Sequence, residues 1–325
     1  MPPHTIAAPA PDESANLIGR LDRLIWLAAA AVAAIVLVSP LISDFRIGWR
    51  SFTGPAVGGV ILTLAALFYA RWRQDARLAA ALGCTAQLVA FAAVAAPLSY
   101  LAAALAYPLQ DRAFDAADRA LGLDWIATLA WMNAHPSLFA LLQFCYASFA
   151  PQATLAVICL AFSRQLLRLR VFILAFILTT LITIAVSAVL PAWGVWMHHG
   201  LQAHAGEILP ASHTSWAAFT GLREGSLRLL VAAGSEGVIT FPSLHAALGV
   251  IFVFALWRTP VLRWLALVVN ALMIVATPIE GSHYFVDVAA GVAIAAASWV
   301  AARSFAQALK SERQMGPVLA PPAPV

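Results

Sequence analysis

Long runs of apolar residues, separated by short polar segments, make up most of this 325-residue chain. A helix needs about 20 apolar residues to cross roughly 30 Å of hydrocarbon, and such runs recur along the chain. A transmembrane β-barrel would instead show short segments of alternating polarity. We therefore predict an all-α polytopic membrane helical bundle with about eight transmembrane helices. The predicted spans are Leu24–Ile42, Val57–Ala70, Leu78–Leu101, Leu138–Phe162, Val171–Ala192, Leu244–Trp257, Val261–Pro278 and Tyr284–Ala302.

The composition agrees with a membrane location, since 62% of the residues are apolar and only 10% are charged. A soluble domain of this length needs more charge to cover its surface. The net charge of +4 could suggest a nucleic-acid partner. The basic residues, however, stand in short clusters at the ends of apolar runs, which is typical of a topology signal. We expect the bilayer as a partner and no nucleic acid.

The segments between the predicted spans differ in their content of basic residues. If the N-terminus is cytoplasmic, the inner segments hold 13 of the 19 basic residues, in agreement with the positive-inside rule. Both termini are then cytoplasmic, and residues 1–20 and 305–325, rich in Pro and Ala, are predicted to be disordered tails. The inner basic residues are Arg20, Arg23, Arg71, Arg73, Arg77, Arg164, Arg168, Arg170, Arg258, Arg263, Arg303, Lys310 and Arg313.

Two polar motifs stand where the sixth and eighth spans begin, on the same predicted non-cytoplasmic side. The segment FPSLHAA contains Ser243 and His245, and GSHYFVDVAAG contains His283 and Asp287. The N-terminus of a helix offers unpaired N–H groups and a positive dipole end, which favour an anion such as phosphate. His283 and Asp287 are four residues apart and share a helical face. The carboxylate can therefore hold one imidazole nitrogen and leave the other free to attack.

Each of these residues also has a simpler interpretation. Asp287 lies in an apolar run, where a carboxylate costs a few kcal/mol unless it is paired or hydrated, and such residues mark functional sites by default. Its alternative role is a polar contact between helices, with His283 as partner. Taken alone, a histidine at the mouth of a span, such as His245, is typically an interfacial residue. The preceding Pro242 and Ser243 favour a helix start with a cap or a phosphate donor.

The motif PSLH at residues 242–245, followed by HYFVD at residues 283–287, resembles the type-2 phosphatidic acid phosphatase superfamily. It is most similar to the inositol-phosphorylceramide synthase-like branch, whose motifs read PS-x-H and HY-x-x-D. The resemblance implies a six-helix core over residues 78–304, with two additional N-terminal spans in residues 21–77. It also implies metal-independent chemistry through a phosphohistidine, without a cofactor.

The resemblance assigns separate roles to the motif residues. His283 would be the nucleophile, and Asp287 would orient it. His245 would protonate the leaving oxygen and then activate the acceptor. Superfamily phosphatases usually carry an Arg six residues before the nucleophilic His, where this chain has Thr277. The superfamily's upstream Lys and Arg-Pro pair are also absent in that form, and these departures favour the synthase-like branch.

The transferring phosphate needs a positive clamp. The candidates are Arg223 and Arg228 in GLREGSLRLL, with Ser243 as a further phosphate-binding residue. Arg223 is the stronger candidate, because a similar Leu-Arg precedes PS-x-H in related bacterial chains. The alternative is a pair of solvated loop charges.

Two further clusters could bind a metal ion, and we predict that neither does. Four histidines crowd one outer segment, but their spacing fits no tight ligand pattern and no carboxylate or Cys pair completes a set. Three acids in DRAFDAADRALGLDW share a helical face, which predicts a helix on the membrane surface, with cation binding as the alternative. These residues are His198, His199, His204 and His213, and Asp111, Asp115 and Asp118.

These observations predict an integral-membrane lipid phosphotransferase, which moves a phosphate-containing head group from a phospholipid to a lipid alcohol. The alternative is a lipid-phosphate phosphatase, of phosphatidic acid or isoprenoid pyrophosphate type, with water as acceptor. Water exclusion separates the two. A transporter or structural protein would carry charged residues deep in several spans. Here only Asp287 lies near a span, close to its outer end. Richness in Arg and Ala is typical of a GC-rich bacterial source, which would place the protein in the inner membrane and the site in the periplasm.

Overall fold

Helices account for most of the chain in the computed structural model, which describes residues 11–41, 43–232 and 237–314. Short 3-10 turns and one pair of two-residue strands complete the ordered elements of this part. The helices are α1 (Pro11–Val38), α2 (Thr53–Arg71), α3 (Ala76–Ala104), α4 (Asp111–Ala120), α5 (Trp125–Asn133), α6 (Pro136–Ala147), α7 (Phe149–Phe162), α8 (Leu166–Val189), α9 (Val195–His198), α10 (His213–Glu224), α11 (Leu244–Leu256), α12 (Leu262–Glu280) and α13 (Phe285–Gln314). The strands are β1 (Arg46–Ile47) and β2 (Leu229–Leu230).

Six helices of the described chain are long and apolar enough to cross a membrane, namely α1, α2, α3, α8, α12 and α13. Helices α6 and α7 make a seventh span if they are counted together, although they are bent by 52° at their junction. The prediction of an all-α polytopic membrane bundle is therefore confirmed. The sixth predicted span is the 13-residue α11, which rises only about 20 Å at 1.5 Å per residue.

The first and last helices extend further than the sequence-based prediction. Residues 11–20 and 305–314, which lie in the predicted disordered tails, are helical. The reason is that the buried apolar face of each helix continues into these residues, with Leu17 in α1 and Leu309 in α13. The rest of both predicted tails lies outside the described residues.

Helix α11 lies at the centre of the bundle and packs against α7, α8, α12 and α13. Its sequence LHAALGVIFVFAL is apolar all round, which suits a helix that is surrounded by other helices. Helix α2 shows the opposite behaviour, because it packs mainly against α3 and leaves large apolar side chains exposed. Exposed apolar faces of this kind suit contact with lipid. The exposed side chains of α2 include Val57, Val60, Ile61 and Leu64.

The N-terminal helices are joined to the rest of the bundle by polar contacts. Strand β1 pairs in parallel with β2, which links the segment after α1 to the loop before α11. Between α1 and α8, both carboxylate oxygens of Asp22 accept hydrogen bonds from Arg170, at 3.1 and 3.2 Å. Gln87 on α3 donates to the same carboxylate at 3.1 Å. Arg170 thus forms a bidentate ion pair inside the bundle.

Candidate active site

His283 and Asp287 lie in contact at the junction of α12 and α13. His283 belongs to the short loop between the helices, and Asp287 lies in the first turn of α13. Nδ1 of His283 is 3.3 Å from Oδ2 of Asp287, and the two residues are 3% and 0% exposed. The same Oδ2 accepts the backbone N–H of Tyr284 at 2.9 Å. The structure therefore brings the carboxylate against one nitrogen of the imidazole, in the arrangement that orients a histidine.

The environment of His283 keeps its imidazole neutral. Burial lowers the pKa of His283 to about 4, against the opposing effect of a hydrogen bond to the backbone of Thr240. A neutral ring carries the lone pair that a nucleophile needs. Gly281 packs directly against this ring, since a Cβ at that position would overlap Cδ2 and Nε2 of His283. The GSH sequence thus holds the ring closely against the backbone of the preceding turn.

The start of α11 is attached to the start of α13 through Ser243. The backbone N–H of Ser243 donates to the carbonyl oxygen of Asp287 at 3.1 Å. The Ser243 side chain, which is fully buried, caps α11 by accepting the N–H of Ala246 at 3.3 Å. The helix cap that the sequence predicts for this hydroxyl is therefore formed.

His245 follows in the first turn of α11 and lies between aromatic rings. Its imidazole stacks on Tyr146, with 4.1 Å between ring centroids and an interplanar angle of 16°. Phe149 contacts it at 5.0 Å in a tilted arrangement. Tyr146 and Phe149 flank the bend between α6 and α7, so this bend positions the second histidine. His245 lies within electrostatic range of His283.

Asp111 and Asp118 support the site from the side of α4. Asp111 accepts the hydroxyl of Tyr284 at 3.0 Å, and its carboxylate also accepts the backbone N–H groups of Trp193 and Gly194. Asp118 accepts the N–H groups of Phe285 and Val286, at 2.7 and 2.9 Å.

The carboxylate of Asp118 thus caps the start of α13, the helix that carries Asp287. Asp111 and Asp118 are buried, so the acids that share this helical face are turned into the protein rather than toward water. Backbone N–H groups from distant segments need acceptors, and these two acids provide them.

Glu280 is a buried acid that the sequence analysis missed. It ends α12, three residues before His283, and is fully buried. Its carboxylate accepts Gln143 Nε2 at 3.2 Å and the backbone N–H of Ala211 at 3.2 Å. An acid at the edge of an apolar run marks a site by default, and Glu280 meets this criterion as Asp287 does. Glu280 lies between two predicted spans, which end at Pro278 and begin again at Tyr284.

The comparison with known families agrees with this arrangement. Residues 112–301 match the family model described as the PAP2 superfamily, which covers more than half of the chain. The chain belongs to the PAP2 superfamily. The match includes both histidines and Asp287, and confirms the superfamily resemblance of the two motifs. Neither a curated protein nor a solved structure matches the chain.

The two arginines proposed as a phosphate clamp for this PAP2 chain lie in different surroundings. Arg223, in the last turn of α10, donates from Nη2 to the carbonyl of Tyr107 at 2.8 Å. Its Nη1 is buried and has no hydrogen-bond partner among the described residues. Burial lowers the pKa of Arg223, and the nearby Asp111 opposes this effect. Since Asp111 binds Tyr284, Arg223 adjoins the polar network of the site. Arg228 is exposed, and its guanidinium lies over Gly225.

The histidine-rich segment contacts α4. Ligand atoms of His198, His199 and Asp115 lie within 4.8 Å of one another. No carboxylate among the described residues of their own loop completes a ligand set with these histidines, and the fold supplies Asp115 from α4. Asp115 is also paired with Arg119, at 2.7 Å. The other two histidines bind elsewhere: His204 contacts Glu207, and His213 contacts the carbonyl of Pro210.

Two polar side chains of the fourth predicted span have defined partners. Tyr146 stacks on His245. Gln152 on α7 accepts a hydrogen bond from Asn270 on α12 at 2.7 Å, which links these two helices. Buried amide pairs of this kind hold membrane helices together. Gln152 therefore has a packing role, whereas Tyr146 positions a candidate catalytic histidine.

Proposed function

We propose that this PAP2 protein is a lipid phosphotransferase that moves a phosphate-containing head group between lipids through a phosphohistidine at His283. Membership of the PAP2 superfamily supports lipid phosphatase or phosphotransferase chemistry. The observation that carries the proposal for this chain is the buried contact between His283 Nδ1 and Asp287 Oδ2. Inositol-phosphorylceramide synthase-like transfer is the reaction that the two motifs resemble.

In the first half-reaction, Asp287 holds the proton of His283 on Nδ1, so that Nε2 attacks the phosphorus of a phospholipid. The bond between phosphorus and the leaving lipid oxygen breaks, and this oxygen takes a proton from His245. The product is a phosphohistidine with the head group attached. The low pKa of His283 supports this step, because the ring is neutral at pH 7.

In the second half-reaction, the neutral His245 takes the proton of a lipid alcohol. The alcohol oxygen attacks the phosphorus, the bond between phosphorus and Nε2 breaks, and His283 is restored. Both histidines end in their starting protonation states, so no metal ion or cofactor is needed for the cycle.

Arg223 is the proposed clamp for the charge on the transferring phosphate. Its buried Nη1 has no partner in the described part of the chain and can donate to a phosphate oxygen. Thr277, which stands where phosphatases of the superfamily carry an arginine, is buried and donates its hydroxyl to Met273 of its own helix. The positive charge that stabilises the transferring phosphate must therefore come from a residue other than the one at position 277.

The burial of His283 and Asp287 favours transfer over hydrolysis, because a phosphohistidine shielded from water survives until a lipid acceptor arrives. One observation favours the phosphatase as second candidate. A polar cavity of about 550 Å³ lies beside Tyr284 and is lined by Asp115, Asp118 and His199, among others. Water in this cavity would lie beside Tyr284, the residue that follows the nucleophile His283.

We also propose that the site faces the periplasm of a bacterial inner membrane, with both termini in the cytoplasm. The distribution of basic residues between the two ends of the helices supports this orientation.

The decisive experiment uses purified protein with a phospholipid that carries labelled phosphate in its head group, with and without ceramide or diacylglycerol. We expect acid-labile label on the wild type and none on His283→Ala. Label should move to the acceptor lipid when one is present. His204→Ala, a change at an exposed histidine, is the matched control. Turnover that survives His283→Ala and His245→Ala would overturn the proposal, and release of free phosphorylated head group without an acceptor would identify the phosphatase.

A further inference from the structure

A second cavity, of about 450 Å³, lies at the other end of the bundle from His283. It is bounded by the loop between α7 and α8, the start of α8, the end of α11 and the C-terminal half of α13. Its lining contains five cationic side chains and, among the described residues, no carboxylate. The cationic residues are Arg164, Arg168, Arg258, Arg303 and Lys310.

Helix α13 gives the separation between this cavity and the candidate active site. Asp287 lies in its first turn, and Arg303 follows sixteen residues later. At 1.5 Å per residue the two positions are about 24 Å apart along the helix. This is close to the thickness of the hydrocarbon core, so the two sites lie near opposite faces of the membrane. A lipid head group in the cavity is too far from His283 to be its substrate.

The basic residues of the cavity form a concentrated positive site. The Arg168 side chain is fixed, because it donates from Nε to the carbonyl of Ala255 at 2.7 Å and from Nη2 to the carbonyl of Phe254. Its guanidinium also lies over the ring of Trp299, at 5.3 Å. The positive charges of Arg258 and Arg303 repel the guanidinium of Arg168. None of the ion pairs between described side chains involves these arginines. Their mutual repulsion favours an anionic ligand.

Positive charge at a cytoplasmic membrane face is expected from topology alone, but topology does not require a cavity between helix ends. We propose that this cavity binds the phosphate group of an anionic phospholipid, as a lipid site separate from catalysis. A lipid fits better than free phosphate because the lining of the cavity includes an exposed apolar side chain. Leu167 is 39% exposed, and an acyl chain would lie against it. A lipid bound here would join the ends of α8, α11 and α13.

The test measures lipid binding to the full-length protein in neutral detergent, by native mass spectrometry. The probes are phosphatidylglycerol, phosphatidylcholine and inorganic phosphate. We expect tight binding of phosphatidylglycerol to the wild type and a loss of about fivefold in affinity for each cavity charge removed, hence about 25-fold for R258Q/R303Q. The matched control is R71Q/R73Q, which removes two exposed arginines at the end of α2, outside the cavity. This control should bind like the wild type.

Three outcomes would overturn the proposal. In the first, R258Q/R303Q binds phosphatidylglycerol as tightly as the wild type. In the second, R71Q/R73Q weakens binding as much as R258Q/R303Q does, which would indicate that any positive charge on the surface attracts the lipid. Inorganic phosphate or phosphatidylcholine could compete as well as phosphatidylglycerol, which would exclude an anionic lipid as the ligand. Arg258 and Arg303 are exposed, and the single change R258Q provides the same test if the double variant fails to fold.

Discussion

The backbone N–H of Ser243 donates a hydrogen bond to the carbonyl oxygen of Asp287, at 3.1 Å. This bond joins the first residues of two helices whose motifs lie about 40 residues apart in the sequence. It places the helix that carries His245 against the helix that carries Asp287. The relative position of the two histidines thus depends on main-chain atoms rather than on contact between the two rings.

Substitution of Gly291 by alanine tests the importance of this close approach. A Cβ on Gly291 would overlap the carbonyl oxygen of Ser243, which is a backbone atom and cannot turn aside. We expect Gly291→Ala to destabilise the protein by about 1–3 kcal/mol, as overpacking does, and to lower turnover at least tenfold. Thermal unfolding in detergent and the transfer assay measure these effects. Gly58→Ala on α2, which has open space at its Cβ position, should lower neither quantity. Equal behaviour of the two variants would contradict the prediction.

Substitution of Asp287 by asparagine removes the charge that holds Nδ1 of His283. An amide can stabilise the wrong imidazole tautomer, and the analogous change in catalytic triads costs roughly 10⁴-fold in kcat. We expect kcat to fall by about 10²- to 10⁴-fold, with little change in KM. Acid-labile label on the variant should also form more slowly. Retention of a tenth or more of wild-type turnover would show that Asp287 has only a packing role.

The pH dependence of kcat/KM tests the neutral state of His283. Its pKa is lowered from 6.5 to about 4, so the free enzyme keeps its nucleophile neutral well below pH 6. The acid limb of the profile should therefore fall near pH 4. The stability contributed by this neutral histidine is complete above pH 6.5 and is lost as the pH falls through about 4, since protonation then favours the unfolded chain. An acid limb near pH 6.5 would contradict the buried environment of the ring.

The two candidate clamp residues should respond differently to loss of charge. Arg223→Gln removes a buried donor, and we expect kcat/KM to fall by about 10²- to 10³-fold, as for other transition-state donors. Arg228→Gln changes an exposed residue and should stay within about threefold of the wild type. Comparison of the two variants in the same assay serves as the control. A larger effect of Arg228→Gln would reverse the assignment.

Treatment with a chelator tests the proposed metal-independent reaction. Turnover should remain within about twofold after EDTA treatment and dialysis, because the proposed cycle uses only side chains of the protein. His199→Ala, which removes one of the three grouped ligand atoms near α4, should also leave turnover nearly unchanged. If the chelator abolishes activity and zinc restores it, the metal-free mechanism is wrong.

The contact between His283 and Asp287 could be expected from the sequence, because residues four apart on a helix face the same side. The contact forms although His283 lies in the loop just before α13. The role of Asp118 could not. Its carboxylate accepts N–H groups from residues 167 and 168 positions further along the chain, and no local pattern specifies that partnership. The same applies to Asp111, whose partner Tyr284 lies 173 positions away. The spacing of the three acids predicts a helix on the membrane surface, whereas two of them are buried acceptors of backbone N–H groups.

The sequence by itself determined the helical membrane class, the superfamily motifs and the position of His283 and Asp287 at the start of one span, because apolar run length and spacing along a helix are local properties. Only the tertiary structure decided that Ser243 contacts Asp287, that Glu280 and Asp118 surround the same junction, and that five cations from several segments line one cavity. These contacts depend on which helices pack together, and packing minimises the energy of the whole bundle rather than that of any segment.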